Sequence, residues 1–350
     1  MTKLTIGPFT IERGGRPFII AEAGINHNGE MEKAREMVRV AKAAGADSVK
    51  FQTFKASEFV GDPNQMFTYQ SQGKEVTESM LEMFQRYEFS DDQWLEIKQY
   101  CDSQGILFLS TPQNTSDLEL LQKIGIDAIK VGSDDFTNTV LVGHYKSTGL
   151  PMMVSCGMAN LSEIHQTVDL IGGYEGYPMV LLHCTSEYPT PPVDVNLKKI
   201  KTLSETFPML PIGFSDHSQG PLASSLAVAY GACVFEKHFT LDHDLPGPDH
   251  WFSEDPTGLN EWISSIRLAH TLVGQGALKS TPKEEKMKVL ARRSIIVLED
   301  VAPGETLTDK NIGLRRPGNG LSPSMFGEVI SRNALKALKK GSLVQYGDFG

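Results

Sequence analysis

The sequence has few cysteines: four in 350 residues, with no pair at the CxxC spacing of a zinc ribbon or a thioredoxin-like motif. Thiols so scattered do not form the disulfide framework of a small secreted protein, and we expect all four to be reduced. No apolar run approaches the roughly 18 residues that a membrane-spanning helix needs, and the first residues lack the apolar core of a signal peptide. These absences predict a cytoplasmic protein without a membrane partner.

Positive charge is also scarce. The chain has 33 Lys and Arg against 43 Asp and Glu, which gives a formal net charge of -10. This balance argues against binding to nucleic acid or to an anionic membrane, because either partner requires a basic surface. With 40% hydrophobic residues, the composition is that of a globular protein rather than a disordered one. If the substrate is an anion, its countercharge must come from a few local residues and a metal ion.

Short β-branched or apolar runs alternate with stretches of helical periodicity through most of the chain. The eight predicted strands span residues 18–22, 48–52, 107–110, 128–131, 152–155, 180–183, 212–215 and 234–238. Alternating strands and helices imply a parallel sheet, and eight such units imply a (β/α)8 TIM barrel of the α/β class. A doubly wound sheet is the alternative, but it usually carries a glycine-rich phosphate turn after its first strand. Residues 22–29 read EAGINHNG and lack that fingerprint.

Two segments interrupt this alternation. Residues 1–16 precede the first barrel strand and are predicted to form a small hairpin that turns at Gly7-Pro8. Such a hairpin would plug the bottom of the barrel. Residues 54–89 are long for a connection between a strand and a helix. Long connections in compact domains are often functional, so we expect an ordered loop over the top face.

The C-terminal part of the sequence differs in texture from the rest. Residues 279–291 are charged and poor in apolar residues, which indicates a linker punctuated by Pro282. From residue 292 onward the pattern is one of short strands and turns, typical of a small domain that is β-rich and partly irregular. The predicted organisation is therefore a barrel with its hairpin over 1–278, a linker, and a small domain over 292–350.

Polar residues occupy the ends of all eight predicted strands. They are Glu22, Lys50 with Gln52, Ser110 with Thr111, Lys130 with Ser133, Ser155, His183, Ser215 with His217, and Glu236 with His238. Barrel enzymes place their chemistry at the carboxyl ends of the strands, whereas the interior is normally filled with Val, Ile and Leu. Any single Lys or Glu there can be explained by an ion pair. Polar groups at all eight ends favour a ligand site.

Two histidines form the best candidate for a metal site. His217 follows the seventh strand and His238 ends the eighth, and consecutive barrel strands are neighbours. Glu236 and His238 share one face of their strand, because side chains alternate with period two. Two imidazoles with a nearby carboxylate suit a divalent ion, Mn²⁺ first, with Mg²⁺ or Co²⁺ also possible. By periodicity alone, His183 could instead be an inward-facing residue that forms hydrogen bonds.

Two lysines indicate how an anionic substrate would be bound. Lys50 and Lys130, together with hydroxyl side chains, make a plausible cradle for a phosphate and a carboxylate. The hydroxyl groups of this cradle belong to Thr111, Ser133, Ser155 and Ser215. One lysine could instead form a Schiff base, as in a lysine-dependent aldolase. Residue types alone do not separate these two readings. Glu22 is a candidate general acid or base.

The phrases at these strand ends resemble those of the sialic acid synthase family. They are Ala21-Glu22-Ala23-Gly24-Ile25-Asn26-His27-Asn28-Gly29, Val49-Lys50-Phe51-Gln52-Thr53, Ser110-Thr111-Pro112, Leu182-His183-Cys184-Thr185, Tyr188-Pro189-Thr190-Pro191, Ile212-Gly213-Phe214-Ser215-Asp216-His217, Glu236-Lys237-His238-Phe239-Thr240 and Pro246-Gly247-Pro248-Asp249. In the tail, Arg316-Pro317-Gly318-Asn319-Gly320 resembles part of that family's antifreeze-like (SAF) domain. Together and in this order, the phrases are highly specific.

The resemblance implies a phosphoenolpyruvate-dependent condensation with an N-acetylated hexosamine, giving a nonulosonic acid and phosphate. The sugar would be N-acetylmannosamine, giving N-acetylneuraminate, or a 2,4-diacetamido-trideoxyhexose, giving legionaminate. It also implies a domain-swapped homodimer in which the tail of one subunit caps the barrel of the other. A divalent metal would be held by His217 and His238.

The resemblance also assigns roles to single residues. The contacts to phosphoenolpyruvate would be made by Lys50, Thr111, Lys130, Ser133, Ser155 and Ser215. The catalytic residues would be Glu22, Lys130 and Glu236. The sugar-side positions match Gln52, Tyr188, Asp249 and Arg316. Of these, Arg316 would reach the N-acetyl group from the other subunit.

Two phrases depart from the family pattern. Residues 132–135 read Gly-Ser-Asp-Asp where Gly-Ser-Gly-Glu is common, and residues 155–158 read Ser-Cys-Gly-Met where Ser-Thr-Gly-Met is usual. Both lie near the expected ligands, so we expect a difference in sugar specificity rather than in reaction. The phrase at 246–249 resembles sialic or legionaminic acid synthases more than pseudaminic ones. The competing hypotheses are a Schiff-base pyruvate aldolase and a non-enzymatic sugar-binding protein.

Overall fold

A computed structural model describes residues 3–350 and divides them after Gly274 into two compact units. The strands are β1 (Leu4–Ile6), β2 (Phe9–Ile11), β3 (Phe18–Gly24), β4 (Ser48–Thr53), β5 (Met66–Ser71), β6 (Lys74–Ser79), β7 (Leu107–Pro112), β8 (Ile129–Val131), β9 (Met152–Ser155), β10 (Met179–Cys184), β11 (Ile212–Ser215), β12 (Val234–His238), β13 (Ser294–Val297) and β14 (Ile312–Arg315). The helices are α1 (Met31–Ala44), α2 (Ala56–Phe59), α3 (Met80–Tyr87), α4 (Asp91–Gln104), α5 (Thr115–Ile124), α6 (Thr139–Ser147), α7 (Leu161–Ile171), α8 (Lys198–Thr206), α9 (Leu222–Ala229), α10 (Pro256–Val273), α11 (Pro282–Ala291) and α12 (Phe326–Val329). Among the residues described, no helix is both long and apolar enough to cross a membrane.

Eight parallel strands form the barrel of the first unit. Their hydrogen-bonded order is β7-β4-β3-β12-β11-β10-β9-β8, and the two end strands β7 and β8 lie side by side, so the sheet nearly closes on itself. Each of the eight predicted strands is present and differs by at most two residues at either end. The predicted TIM barrel is confirmed.

Side-chain alternation gives the barrel interior two layers. The lower layer is apolar and is formed by Phe18, Ile20, Leu109, Ala128, Met153, Val180, Leu182 and Val234. The upper layer, at the carboxyl ends of the same strands, is polar and includes Glu22, Lys50, Thr111, Lys130, Ser155, Ser215 and Glu236. The residues between them in sequence, such as Ile19, Phe51 and Phe108, face outward into the core beneath the helices. Period two in the strands thus delivers polar groups to one end of the barrel.

The N-terminal hairpin closes the lower end. Strands β1 and β2 pair antiparallel, with Leu4 opposite Ile11 and Ile6 opposite Phe9. Leu4, Ile6 and Ile11 are buried in the same apolar cluster as the lower layer of the barrel. The hairpin therefore plugs the bottom of the barrel, as its sequence predicts.

The long connection after β4 is ordered and contains its own hairpin, β5–β6, between α2 and α3. It is fixed to the loop after β12, because Gln72 Nε2 donates to the Asp244 carbonyl at 2.7 Å and the Gly247 N–H donates to Ser71 Oγ at 3.1 Å. Its apolar side chains pack on Ile25, which directly follows β3. This segment lies over the upper end of the barrel, where the sequence predicts a functional loop.

The second unit has a small core of its own. Strands β13 and β14 pair antiparallel, and isolated bridges and turns make up most of the remainder. Ile295, Val297, Leu307, Ile312 and Val344 lie in its buried cluster. The unit is β-rich and partly irregular, as its sequence texture predicts.

Most of the predicted linker is helical, since residues 282–291 form α11. Pro282 is the first residue of helix α11, where a missing N–H costs nothing. Thr281 caps this helix, and Glu284 completes a capping box with it. The Thr-x-x-Glu spacing is the sequence signal that identifies this helix start.

Candidate active site

The upper end of the barrel encloses a cavity of about 340 Å³, here called the inner cavity. Of the fourteen site residues predicted from sequence, twelve line it: Glu22, Lys50, Gln52, Thr111, Lys130, Ser133, Ser155, Tyr188, Ser215, His217, Glu236 and His238. They converge because each barrel strand ends in an inward-facing polar residue or in a loop that folds over the strand end. Asp249 lies in the adjoining cavity, and Arg316 belongs to the second unit.

His183 does not face this cavity. Its Nε2 lies 2.7 Å from the Val195 carbonyl and its ring stacks on Phe214, both on the helix side of the barrel. The possibility that His183 faces inward is therefore wrong. Strand β10 runs one residue further, and parity places Leu182 and Cys184 inside instead.

A row of alternating charges lies at the floor of the inner cavity. Lys50 Nζ is 2.8 Å from Glu22 Oε2 and 3.8 Å from Glu236 Oε2, and Lys130 Nζ is 3.4 Å from Glu236 Oε1. All four side chains are buried. Each buried ammonium thus has a carboxylate partner, as buried charges require.

Burial and neighbours move the pKa values of the two carboxyls apart. Burial raises the pKa of Glu22 to about 7, against the opposing effect of Lys50. Burial also disfavours the charge of Glu236, but Lys130 and Lys50 outweigh it and lower the pKa of Glu236 to about 2. Burial opposes the charge on Lys50 as well, yet Glu22 and Glu236 raise its pKa. Glu22 is therefore the group in this row that gains or loses a proton near neutral pH.

Hydroxyl groups surround this row. Ser215 Oγ donates to Glu236 Oε1 at 2.9 Å, and Lys50 Nζ donates to Thr111 Oγ1 at 3.1 Å. Ser133 Oγ accepts from the Gly157 N–H at 3.0 Å. Ser155 Oγ is buried and has no hydrogen-bond partner within residues 3–350. A buried hydroxyl without a partner is costly, which indicates that a ligand completes its hydrogen bonding.

The two histidines lie together at the edge of the inner cavity, with ring centroids 5.6 Å apart. His217 Nδ1 is 2.8 Å from the Thr185 carbonyl, which can only accept, so in the neutral ring Nδ1 carries the proton and Nε2 keeps its lone pair. Burial holds the pKa of His238 well below its usual value, and His238 Nδ1 is buried without a partner among the described residues. Both rings are thus suited to bind a divalent cation.

A metal at this pair would have few protein ligands. Within the described part of the chain, no group of three or more His, Cys, Asp or Glu side chains is placed to hold an ion. Two imidazoles leave most coordination positions to substrate oxygens and water. The residues fit an open, weakly held ion of the catalytic kind better than a structural one.

A second cavity of about 590 Å³, here called the outer cavity, adjoins the first. The β5–β6 hairpin and the loop after β12 form its walls. Its aromatic lining consists of Phe67, Tyr69, Phe84, Tyr188, Trp251 and Phe252, and its polar lining includes Gln52, Thr68, Gln70, Glu75, Asp134 and Asp249. Aromatic rings with a few directed polar groups are typical of a binding site for a small molecule.

Gly24 lies beside three polar side chains, Glu22, His238 and Asp249. It has φ +52°, a left-handed conformation, where the register of β3 on β4 shifts. A Cβ at this position would lie 3.4 Å from Glu22 Oε1, 3.7 Å from His238 Nδ1 and 3.8 Å from Asp249 Oδ2. Glu22, His238 and Asp249 therefore lie close to one point, and of these three His238 lines both cavities.

Several lining residues were not predicted. Cys184 lines the inner cavity with its sulfur 3.8 Å from His217 Nδ1, and correct parity from Val180 would have found it. Asp134 was expected near the ligands only as part of the phrase at 132–135, and it lines both cavities. The rings of Trp251 and Phe252 lie on an irregular loop, where no periodicity indicates their direction.

A buried ion cluster lies behind the histidine pair. Lys237 Nζ lies 3.1 Å from Asp216 Oδ2 and 3.7 Å from Glu254 Oε1, and it donates to the Ser218 carbonyl. Asp216 precedes His217, and Lys237 precedes His238. The cluster therefore ties together the two segments that carry the histidines.

Replacing Lys237 with methionine should lower the free energy of unfolding by about 3–5 kcal/mol, because it leaves the buried Asp216 without its ammonium partner. Urea denaturation would measure this loss. The matched control is Lys201→Met, which breaks an exposed pair with Glu205 and should cost less than about 1 kcal/mol. Equal stabilities of the two variants would show that the buried cluster contributes no more than a surface pair.

Comparison with known proteins identifies the family. The chain matches the NeuB family over residues 37–278 and the SAF domain over residues 292–350. N,N'-diacetyllegionaminic acid synthase of Legionella pneumophila is 40% identical over 329 residues, 93% of this chain and 92% of that protein. The Campylobacter jejuni protein of the same name is 36% identical over 332 residues, 94% of this chain and 99% of that protein.

A solved structure supports the same assignment. The N-acetylneuraminic acid synthetase of Leptospira borgpetersenii, solved in complex with citrate, is 33% identical and superposes with a TM-score of 0.73. The match covers 81% of this chain and 94% of that one. The resemblance indicated by the strand-end phrases is confirmed. This chain belongs to the NeuB family, the family of sialic, legionaminic and pseudaminic acid synthases, and it carries a SAF domain at residues 292–350.

Proposed function

We propose that this synthase condenses phosphoenolpyruvate with an N-acetylated amino sugar to give a nonulosonic acid and phosphate. The observation that carries the proposal is the buried row of Lys50, Glu22, Glu236 and Lys130, which lies beside a histidine pair and opens toward an aromatic cavity. Phosphoenolpyruvate suits the inner cavity, and the amino sugar suits the outer one. We expect this activity in the cytoplasm, where the four buried thiols would stay free.

The inner cavity supplies what a small phosphorylated acid needs. Lys50 and Lys130 offer ammonium groups, and Ser155 offers a hydroxyl that has no other partner among residues 3–350. Ammonium and hydroxyl donors to phosphate and carboxylate oxygens form charge-assisted hydrogen bonds, which are the strong ones. Glu236 stays ionised because both lysines lie beside it, Lys50 Nζ at 3.8 Å and Lys130 Nζ at 3.4 Å.

The reaction begins with attack by C3 of phosphoenolpyruvate on the open-chain aldehyde carbon of the sugar. Water then adds at C2, and the resulting tetrahedral phosphate hemiketal breaks its C2–O bond to release inorganic phosphate. Glu22 faces the junction of the two cavities and can give a proton to the aldehyde oxygen as it becomes an alkoxide. Lys130 stabilises the phosphate oxygens as negative charge builds on them.

His217 and His238 would hold a divalent ion, with Mn²⁺ preferred and Mg²⁺ or Co²⁺ as alternatives. When bound, the ion would polarise the aldehyde oxygen. The Thr185 carbonyl fixes the tautomer of His217 and keeps its Nε2 available. The excess of negative charge in the whole chain is no obstacle, since the local groups set the field at the site.

For the sugar we propose a 2,4-diacetamido-2,4,6-trideoxyhexose, with legionaminate as the product. The support is the higher identity to the two legionaminic acid synthases, 40% and 36%, than to the N-acetylneuraminic acid synthetase, 33%. A sugar with a methyl group and two acetamido groups also suits an outer cavity with six aromatic rings, Phe67, Tyr69, Phe84, Tyr188, Trp251 and Phe252. N-acetylmannosamine is the second candidate.

The decisive experiment measures phosphate release from phosphoenolpyruvate with a panel of sugars, with and without a chelator. We expect release that depends on both the sugar and the divalent ion, fastest with the 2,4-diacetamido sugar. Faster turnover of N-acetylmannosamine would assign the chain to N-acetylneuraminate synthesis. Absence of release with every N-acetylated sugar in the panel would overturn the proposed reaction.

The Schiff-base alternative has less support from the geometry. A lysine that forms a Schiff base needs a depressed pKa, but the carboxylates beside Lys50 raise its pKa, and Lys130 Nζ lies 3.4 Å from Glu236. Borohydride should therefore trap no pyruvate adduct on either lysine. An adduct would favour the aldolase.

Asp249 should make sugar binding pH-dependent. Burial raises the pKa of Asp249 to about 6, so its carboxylate loses its charge as the pH falls through that value. A neutral carboxyl is a weaker acceptor for sugar hydroxyls, and we expect the sugar KM to rise about tenfold below pH 6. Asp249→Asn should show the high KM at every pH. A variant that keeps the wild-type pH profile would assign the dependence to another group.

Arg316 is a further proposed sugar contact, supplied by a second copy of the chain in a homodimer. It is exposed at the end of β14, and no hydrogen bond or ion pair occupies its guanidinium among the described residues. Arg316→Ala should raise the sugar KM and leave the phosphoenolpyruvate KM nearly unchanged. Arg315→Ala, at the preceding exposed position, is the matched control. Sedimentation analysis tests the dimer, and a fully active monomer would contradict this proposal.

A further inference from the structure

Asp134 lies at the boundary between the two cavities. The cavities share five lining residues, Gln52, Phe84, Asp134, Tyr188 and His238. Asp134 is the only acidic residue among them. Any molecule that extends from one cavity into the other passes this carboxylate.

Gly132, two residues before Asp134, leaves the space that the Asp134 carboxylate occupies. The carboxylate folds back over the end of β8, and a Cβ on Gly132 would overlap Asp134 Oδ1. Any larger residue at 132 would therefore push the carboxylate away from the boundary. Gly132 lines the inner cavity at the same place. The pair Gly132 and Asp134 thus forms one local arrangement.

The carboxylate of Asp134 is unused within residues 3–350: neither a hydrogen bond nor an ion pair is formed to it. Its neighbour Asp135 differs, since Asp135 Oδ1 accepts from Asn138 Nδ2 at 2.9 Å. Asp134 lines both cavities, so its free carboxylate borders the ligand space on both sides.

We infer that Asp134 is a specificity-determining residue for the amino sugar, accepting a hydrogen bond from an O–H or N–H on the carbons next to the aldehyde. This inference rests on the proposed function. The aldehyde carbon must reach the inner cavity to meet phosphoenolpyruvate, so the carbons that follow it lie at the boundary. In both candidate sugars these carbons carry an acetamido N–H and a hydroxyl.

Contact between Asp134 and phosphoenolpyruvate is electrostatically unfavourable. Its phosphate and carboxylate are anionic, so a carboxylate at the boundary repels them. The neutral sugar brings donors, and a charged acceptor binds donors more strongly than a neutral one. Asp134 therefore favours the sugar and disfavours phosphoenolpyruvate, and it selects sugars that keep a donor beside the aldehyde.

These opposite effects define the test. Asp134→Asn and Asp134→Ala should raise the sugar KM about tenfold or more and at the same time lower the phosphoenolpyruvate KM. The wild-type enzyme should prefer the N-acetylated sugar over its 2-deoxy analogue, and Asp134→Ala should reduce that preference. Asp127→Asn is the matched control, because Asp127 lies just before β8, at the lower end of the barrel. It should leave both KM values unchanged.

The outcomes separate the two proposals. If the wild-type enzyme turns over sugar and Asp134→Ala has both KM values of the wild type, the role of Asp134 is refuted and the proposed reaction stands. A parallel rise in both KM values would likewise refute it, because that pattern indicates a structural role. If the wild-type enzyme releases no phosphate with any sugar, the proposed function fails and this inference fails with it.

Discussion

Replacing Lys130 with methionine should abolish turnover, with a loss in kcat of about a thousandfold, while the barrel stays folded. Lys130 is buried, and its ammonium lies 3.4 Å from Glu236. Loss of one donor to developing negative charge costs about 10²–10³ in kcat in well-studied cases. Lys130 would also hold the ground-state phosphate, so we expect the phosphoenolpyruvate KM to rise as well, with the loss in kcat near the top of that range.

The fold should survive because Glu236 keeps two other partners, Ser215 at 2.9 Å and Lys50 at 3.8 Å. Circular dichroism and the elution volume on gel filtration would verify this. Lys123→Met, on the exposed face of α5, is the matched control and should retain full activity. Turnover of the Lys130 variant near the wild-type rate would mean that the phosphate is bound elsewhere.

Replacing Glu22 with glutamine should lower kcat by about 10²–10⁴, the usual contribution of a general acid or base. Burial raises the pKa of Glu22 to about 7. Its protonated fraction is therefore about one half at pH 7 and falls about tenfold for each further pH unit. If the protonated form gives the proton to the aldehyde oxygen, wild-type kcat should decline as the pH rises through about 7. The glutamine variant should lack this decline.

Rates measured across pH 5.5–9 on both proteins provide the readout. Glu119→Gln, a change of the same kind at an exposed position of α5, should keep the wild-type profile. If kcat of the glutamine variant still declines through pH 7, another group donates the proton. A wild-type rate that rises through pH 7 would instead assign Glu22 the role of a base.

Strand periodicity predicted most of the inner cavity. Once the strands ending near Glu22, Lys50, Lys130 and Glu236 are recognised, period two and barrel closure bring their side chains together without further information. The same rule, applied from Val180, places Leu182 and Cys184 inside the barrel and His183 outside. His183 was misjudged because it was taken as the last residue of its strand, whereas β10 continues to Cys184, which faces inward.

Sequence reasoning could not foresee how the charges pair. Lys50 and Lys130 were predicted as a phosphate cradle, yet each lies within 4 Å of a carboxylate. Distances between side chains on four different strands depend on stagger and rotamers, which no local pattern encodes. Residues 132–135 were expected near the ligands, but the backward fold of Asp134 over Gly132 could not be predicted, because it lies in an irregular loop.

The two-layer interior of the barrel separates what keeps the enzyme folded from what decides its chemistry. Ile20 and Glu22 differ by one step along the same face of β3, yet the first packs on the plug and the second faces the ligand space. Selection can therefore alter the upper layer and the loops above it, Asp134 included, while the lower layer maintains the fold. Substitutions in the upper layer and its loops can therefore change which sugar the enzyme accepts while the apolar lower layer stays intact.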